Sequence, residues 1–488
     1  MASTIGFPKE LMNEIDYTLP SSMSSYAVKV VPSNLSQVQS PTGALPTAAG
    51  TYQLNNNSAN VIFDIPAGQS KDVFIDPRFS TLSFRVNYEV TNSPAGVTIA
   101  NCQLRGGAMS HFTRTYTQSQ SGVILDDINS LEVVHDMLVQ TEIDVSSRDV
   151  LACMYGFEYE RPGSDASGNV SYNQGHKIAG INNVAVTTAT SKYYSYCVPL
   201  LNSLIGKGSS KFFQIGATSK LQLVLQSNPV IPVTFVTTGT ATTAVNFRIT
   251  IDNISLNLQY CQLGDQAMKL LNKTGLQYYS GITYRTSTST IPSSTSGAIS
   301  LLTGLRGSSV RALFARFTEA ATLSTSGCIN YNLDSKAPAA TSIAWNINGV
   351  LVPSNPSNIV YNPAQVFAQT QQAIGSFNNY EFKSGLVPSK YFVYLPTGGT
   401  FPTDADQVFT ASGNASEVIN QAQFLYGYSL EKVAKAGILD GQNINSGSTF
   451  LNMSWACNNT NAVTAFFIAK MDVLYILDTN DGSISVRL

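Results

Sequence analysis

The same succession of elements occurs twice along this chain, about 230 residues apart, and that recurrence limits the folds open to it. The first passage starts at Ile65-Pro66 and continues through an alternating strand from Leu82 to Tyr88. A short amphipathic helix follows near Ser130 to Leu138, then a turn and helix at Val198-Pro199-Leu200-Leu201. A long strand, Phe247 to Leu258, closes it. The second passage has Ile291-Pro292, a strand from Val310 to Phe317, a helix from Pro363 to Ile374, a helical turn at Leu430 to Ala434, and a closing strand from Phe466 to Leu477. Corresponding points are offset by roughly 219 to 233 residues. Identity between the passages is slight, so the signal lies in order and spacing. A chain of 488 residues is long enough for two such units, each with its own core.

The strand signals are those of antiparallel sandwiches. Leu82, Phe84, Val86, Tyr88 and Val90 alternate with Ser83, Arg85, Asn87 and Glu89, giving one buried and one wet face. Leu221, Leu223 and Leu225 repeat the pattern. In the strand Phe247 to Leu258, Phe247, Ile249 and Ile251 share one parity, whereas Ile254, Leu256 and Leu258 share the other. An extra residue at Asp252-Asn253 predicts a β-bulge there. The first helix places Leu131, Val134 and Leu138 on one face, with Asn129 or Ser130 as N-cap. The second has Asn362 as N-cap, Pro363 at its first position and Gly375 at its end, with Val366, Phe367, Thr370 and Ile374 toward the sheet. Long polar loops are predicted at Arg161 to Asn183, Val233 to Val245 and Leu395 to Ser416.

Only 12% of residues are charged, so the polar surface must be built largely from Ser, Thr, Asn and Gln. Such a surface carries little self-repulsion. The net charge of -2 and the lack of any Lys/Arg block disfavour nucleic-acid binding through phosphate neutralisation. Aromatic residues make up 10%, which argues against disorder. The six cysteines (Cys102, Cys153, Cys197, Cys261, Cys328 and Cys457) show neither CxxC spacing nor a disulfide rhythm. They are read as free, mostly buried thiols in a reducing compartment. No secretory signal is visible, and no apolar run is long enough for a membrane span. The sequons at Asn169, Asn272, Asn414 and Asn458 are read as accidents of composition.

The chemistry-bearing residues do not assemble into a motif. His111, His135 and His176 are the only histidines, and none has metal-ligand spacing. Gly206-Lys207-Gly208-Ser209 lacks the glycine and hydroxyl positions of a phosphate loop. Asp126-Asp127 is read as favouring the positive end of the following helix rather than as a glycosidase pair. Asp478, Asp481 and Gly482 read as a hairpin turn with too few oxygens for calcium. No catalytic, cofactor-binding or metal-binding residue is assigned, and no cofactor is expected.

Several of these segments together resemble the double jelly-roll major capsid proteins of small eukaryotic DNA viruses, of the polinton-like virus, adintovirus and virophage kind. The resemblance is carried by SGVILDDINSLEVVHDML (Ser121 to Leu138), INGVLVPSNP (Ile347 to Pro356), NPAQVFAQTQQAI (Asn362 to Ile374), GYSLEKVAKAGILDG (Gly427 to Gly441) and DVLYILDTNDGSISVRL (Asp472 to Leu488). Each is a packing pattern rather than a catalytic signature, so their joint order gives the specificity. It spans nearly everything from about Thr51 onward.

The resemblance implies an all-β chain of two tandem eight-stranded antiparallel jelly rolls with a few short helices between strands. The expected division is an N-terminal arm over 1–50, a first jelly roll over 51–262 and a second over 263–488, with a linker at about 263–278. It further implies a non-enzymatic capsid subunit of the virion, assembled inside the infected host cell. Three copies would form a pseudo-hexameric homotrimer that contacts neighbouring capsomers and penton and minor capsid proteins, with long loops as outer towers and the arm as an inner tether. No direct nucleic-acid binding and no membrane span are expected. The alternative reading is a carbohydrate-binding β-sandwich or glycoside hydrolase using Trp345, Trp455 and tyrosines as stacking platforms.

Overall fold

The structure is a computed structural model. It describes residues 24–34, 52–54, 60–68, 70–91, 98–104, 106–143, 151, 154–156, 162–164, 170–172, 176–177, 184–185, 190–209, 211–229, 232–238, 246–264, 268, 275–293, 297–319, 329–330, 333, 335–338, 340–375, 384–386, 388–392, 394–395, 422–432, 440–445, 447–455 and 462–487.

Alternating and β-branched runs give the first half eight principal strands among the described residues. They are β1 (Ser24–Val30), β2 (Asn60–Ile65), β3 (Val73–Thr91), β4 (Phe112–Ser119), β5 (Ile124–Asn129), β6 (Thr190–Pro199), β7 (Leu221–Ser227) and β8 (Asn246–Gln262). One sheet has the order β1-β8-β3-β6 and the other β2-β7-β4-β5. The second half supplies β9 (Leu276–Ile291), β10 (Gly297–Leu302), β11 (Val310–Glu319), β12 (Ala340–Ile347), β13 (Val350–Ser357), β14 (Tyr426–Ser429), β15 (Thr449–Trp455) and β16 (Val463–Asp478). Their orders are β9-β16-β11-β14 and β10-β15-β12-β13. Adding eight to each label of the first half reproduces the second. A helix lies between the fifth and sixth strands in both, α1 (Leu131–Glu142) and α2 (Pro363–Ile374). This is the jelly-roll topology, present twice, and all these pairings are antiparallel. A last strand, β17 (Ile484–Arg487), folds back on β16 through the Asp481-Gly482 turn, with Gly482 at φ 73°.

Four of the five recurring sequence landmarks occupy equivalent places in the two topologies. Ile-Pro does not: Ile65 ends the second strand of its sandwich, whereas Ile291 ends the first strand of the other. The likeness there is coincidental, because a proline ends strand pairing wherever it falls. The predicted turn at Val198 to Leu201 ends β6 and leads into non-helical turns. Leu430 to Lys432 are not helical, and the rest of the predicted helical turn lies outside the described residues.

The predicted bulge is present. The register of β8 against β3 shifts between Asp252 and Ser255, and Asn253 takes φ 47°. Ile249, Ile251, Ile254, Leu256 and Leu258 are all buried as a result, so one strand keeps its apolar side chains inward across the phase change. The second helix also follows its sequence signals: Pro363 sits in the first turn, and Gly375 at φ 80° donates its amide to the carbonyls of Gln371 and Gln372. Val366 and Thr370 are buried, and Phe367 and Ile374 pack against the core.

Two expectations need correction. The segment 1–50 is not all arm, because Ser24–Val30 is a sheet strand paired from Ser24↔Gln262 to Val30↔Leu256. Its large apolar residues are only Tyr26, Val28 and Val30, the pattern of an edge strand with little to bury. The predicted loop from Val233 likewise begins with a strand, Val233–Thr238. That strand pairs with Thr98–Leu104 and with Ile329–Asn330 of the other half. The connections β3–β4, β7–β8 and β11–β12 thus meet in a sheet of their own, which His176–Lys177 and Val184–Ala185 from β5–β6 also join.

Candidate functional site, the seam between the two sandwiches

The buried apolar residues of both sandwiches form one continuous cluster. Where the halves meet, β5 and the turns after β6 face β9 and the β16–β17 hairpin. The polar groups buried there are paired across the seam, as burial demands. Asp126 accepts across the seam from the Thr283 hydroxyl at 2.6 Å and, within its own sandwich, from the Ser203 amide at 2.8 Å. The Tyr475 hydroxyl pairs with that of Ser203 at 2.5 Å and donates to the Leu125 carbonyl at 3.3 Å. Thr286 donates to the Asn129 carbonyl at 3.0 Å, and Lys71 to the Thr479 carbonyl at 2.7 Å. The Phe213 and Tyr279 rings meet edge to face with centroids 5.2 Å apart.

Backbone also approaches backbone. The Ile282 amide donates to the Gly208 carbonyl at 2.8 Å, and Ser209 bridges to Gly281. A Cβ on Gly208 would stand 2.3 Å from the Ile282 carbonyl oxygen, and one on Gly281 would stand 2.0 Å from that of Ser203. Gly208 of the segment that faintly suggests a phosphate loop is therefore where the sandwiches touch, whereas Gly206 packs against Leu200 and Asn202 of its own turn. Lys207 is engaged by Glu142.

One cation crosses the seam fully buried. Arg316 of β11 is 2% exposed and donates to Asp136 at 2.6 Å, to the Leu333 carbonyl at 2.8 Å and to the Val133 carbonyl at 3.1 Å. Asp136 and Val133 belong to α1. The predicted face of α1 (Leu131, Val134, Leu138) is buried, but so are Val133, His135, Asp136 and Met137. The helix lies between two bodies, so burial is not confined to one stripe. An arginine inside the apolar run Val310 to Phe317 is the sequence signal that could have revealed this contact.

The sequence candidates for chemistry whose side chains are described have structural partners. Asp127 takes a bidentate bond from Arg114 at 2.8 and 2.9 Å, so both members of Asp126-Asp127 serve packing rather than the end of α1. His111 donates from Nδ1 to the Ala108 carbonyl at 2.7 Å and accepts from the Tyr88 hydroxyl at 3.1 Å; burial pushes its pKa down to about 4. Burial first, and the Lys207 charge second, push His135 down to about 3. The side chain of His176 lies outside the described residues. Cys261 is buried and Cys197 half-buried, both as free thiols; Cys153, Cys328, Cys457 and the Cys102 side chain lie outside the described residues. Among the described residues no group of three or more His, Cys, Asp or Glu side chains converges on a metal-sized site, and no helix is long and apolar enough to cross a membrane.

Glu132 in the first turn of α1 gives the fold a pH dependence. Burial raises its pKa to about 7, against weaker pulls from its own amide and Thr113. A carboxyl raised above its unfolded value stabilises the fold fully below pH 4.5 and loses that contribution as pH rises through about 7. The two buried histidines have depressed values, so their contribution is present above about 6.5 and lost as pH falls. Glu132→Gln is expected to stabilise by up to about 3 kcal/mol at pH 8, with the gain gone at pH 4. Thermal midpoints at the two pH values check this; equal gains at both would mean that the carboxyl is not the titrating group.

Fold and seam together define a double jelly-roll protein whose two sandwiches are fixed as one body. Solved structures share this architecture. The chain is similar to a chain of the Sputnik virophage structure, with TM-score 0.55 and 12% identity over 99% of this chain and 92% of that one. It is similar to the mavirus major capsid protein, with TM-score 0.51 and 11% identity over 100% and 94%. A chain of the PBCV-1 virus capsid matches with TM-score 0.50 and 11% identity over 98% and 99%. No family model and no curated protein matches the chain.

Proposed function

We propose that this chain is a major capsid protein, a structural subunit that tiles an icosahedral virion shell and is not an enzyme. The carrying observation is the seam: two sandwiches of identical topology are locked by buried hydrogen bonds and an ion pair. The likeness to capsid chains over almost the whole length supports the same reading. Three copies would place six jelly rolls around one axis as a pseudo-hexameric homotrimer. Its neighbours would be other capsomers, with penton and minor capsid proteins at special positions, and assembly would take place in the infected host cell.

In this reading the first jelly roll runs to about residue 262 and includes Ser24–Val30, and 263–278 leads into the second. The five-stranded sheet gathered from the β3–β4, β5–β6, β7–β8 and β11–β12 connections is the base of an outer tower. Stable contacts between copies must bury more than roughly 1,000 Å². A chain with only 12% charged residues brings copies together with little like-charge cost. The carbohydrate-platform reading loses Trp345, which is wholly buried and stacked on Tyr426.

The test is solution mass. The purified chain is expected to run at three times its own mass and to stay there on dilution. A monomer at every concentration would overturn the reading.

A further inference from the structure

The two sandwiches treat one equivalent sheet edge differently. β2 is an edge strand, and residues of the same chain just after β1 cover its outer backbone groups. The Ser33 amide donates to the Ile62 carbonyl at 2.8 Å, the Ile62 amide donates to Asn34 Oδ1 at 3.1 Å, and Asn34 Nδ2 donates to the Asn60 carbonyl at 2.7 Å. The counterpart edge strand is β10. Ile62 and Ser300 hold equivalent positions. They stand opposite Val224 of β7 and Asn452 of β15, next to the buried pairs Phe63–Leu223 and Leu301–Leu451.

In β10 that edge is open. Thr303, which follows the strand, donates its amide to the Thr449 carbonyl at 2.9 Å. In an antiparallel ladder alternate residues bond the partner, so Ala298, Ser300 and Leu302 turn their N–H and C=O groups away from β15. Among the described residues no hydrogen bond reaches these outward groups. All three residues are exposed, Leu302 at 57%. Chain length accounts for the difference. Residues 31–59 separate β1 from β2 and leave enough chain to run along the edge. Only residues 292–296 separate β9 from β10, little more than the crossing between two sheets about 10 Å apart requires.

Exposed edges are commonly blunted by a lysine, a proline or a bulge. The strand Gly297-Ala298-Ile299-Ser300-Leu301-Leu302 has no charge and no proline, and its register with β15 is unbroken. The seam does not cover it either: Gln277, Tyr279 and Thr283 of β9 are buried, while β10 stays exposed after the seam has formed.

We propose that β10 pairs with β10 of a second copy, antiparallel about a twofold axis at Ser300, so that two β10-β15-β12-β13 sheets join into one. The strand is complementary to itself. With Ser300 opposite its mate, Ala298 falls opposite Leu302, and the outward groups of all three residues find partners together. The exposed Leu302 side chain then lies beside the small Ala298 of the other copy, and the strand has no charge to repel its mate. Such an isologous contact joins two copies and closes there. It is separate from any ring of three and stands on the edge alone; within the shell reading it links one capsomer to the next.

Ser300→Cys tests the axis directly. The Cα atoms of a hydrogen-bonded antiparallel pair stand about 5.5 Å apart, within the span that a disulfide bridges. With copper-phenanthroline as oxidant, this variant is expected to run mostly as a covalent dimer on a non-reducing gel. Ser354→Cys on β13, also exposed, is expected to run as a single chain like the wild type. Ser300→Lys places two ammonium groups opposite each other across the axis. It is expected to keep the wild-type thermal midpoint and to lose the doubling of oligomer mass that the wild-type chain shows as its concentration is raised. Equal cross-linking of the two cysteine variants, a wild-type chain that never doubles, or a Ser300→Lys chain that doubles as the wild type does overturns the pairing. Ser300→Cys dimers from a chain that forms no trimer sustain the pairing and overturn only the shell reading.

Discussion

Arg316→Met is expected to destabilise the fold by about 3–5 kcal/mol, because it leaves Asp136 buried without its cation. Asp136 keeps a bond from Gln140 at 2.9 Å, but that neutral amide cannot replace a guanidinium 2.6 Å away. The Leu333 and Val133 carbonyls lose a donor as well. The double variant Arg316→Met with Asp136→Leu is expected to recover most of the loss, since a hydrophobic pair in place of a buried ion pair is often neutral or stabilising by about 1–4 kcal/mol. Denaturant midpoints of the two variants check this. A single variant as stable as the wild type would show that the ion pair does not hold α1 against the second sandwich. A double variant no better than the single would place the loss in shape rather than charge.

Leu223→Asp is expected to abolish soluble expression. Leu223 is wholly buried in β7, between Phe63 of β2 and Thr117 of β4. The substitution removes an apolar side chain and puts a carboxylate among apolar neighbours. Either the charge stays unpaired or the group takes up a proton, and each route costs several kcal/mol. That is a large fraction of the roughly 5–15 kcal/mol by which a folded domain exceeds its unfolded chain. Leu302→Asp makes the same chemical change at a position 57% exposed and is expected to express normally. Soluble Leu223→Asp protein with a wild-type thermal midpoint would remove Leu223 from the core.

Much of the fold is written in local periodicity. The bulge at Asn253 was legible because two runs of branched residues change parity across it. The ends of α2 were legible because Pro363 and Gly375 each have one strong local preference, although the Asn362 side chain donates to Gln365 and caps no backbone amide. β1 was not, because an edge strand needs few large apolar residues and the segment 24–30 has only Tyr26, Val28 and Val30. The seam was the least legible part. Thr283, Ser203, Tyr475 and Asp126 are polar residues whose partners lie 157 or 272 positions away, and no spacing rule links them. Gly208 and Gly281 likewise acquire meaning only when two strands of different sandwiches approach. Arg316 left a trace, a charge between Ala315 and Phe317 in a mostly apolar strand, but its partner on α1 could be found only from the packing.

The account turns on six similar lobes arising from three chains. Electron-microscope projections of the purified oligomer, viewed down its axis, measure this directly. A closed ring with six density lobes of near-equal size, repeating strictly every second lobe, is the predicted image. A ring with a different number of lobes, or an open filament, would contradict it.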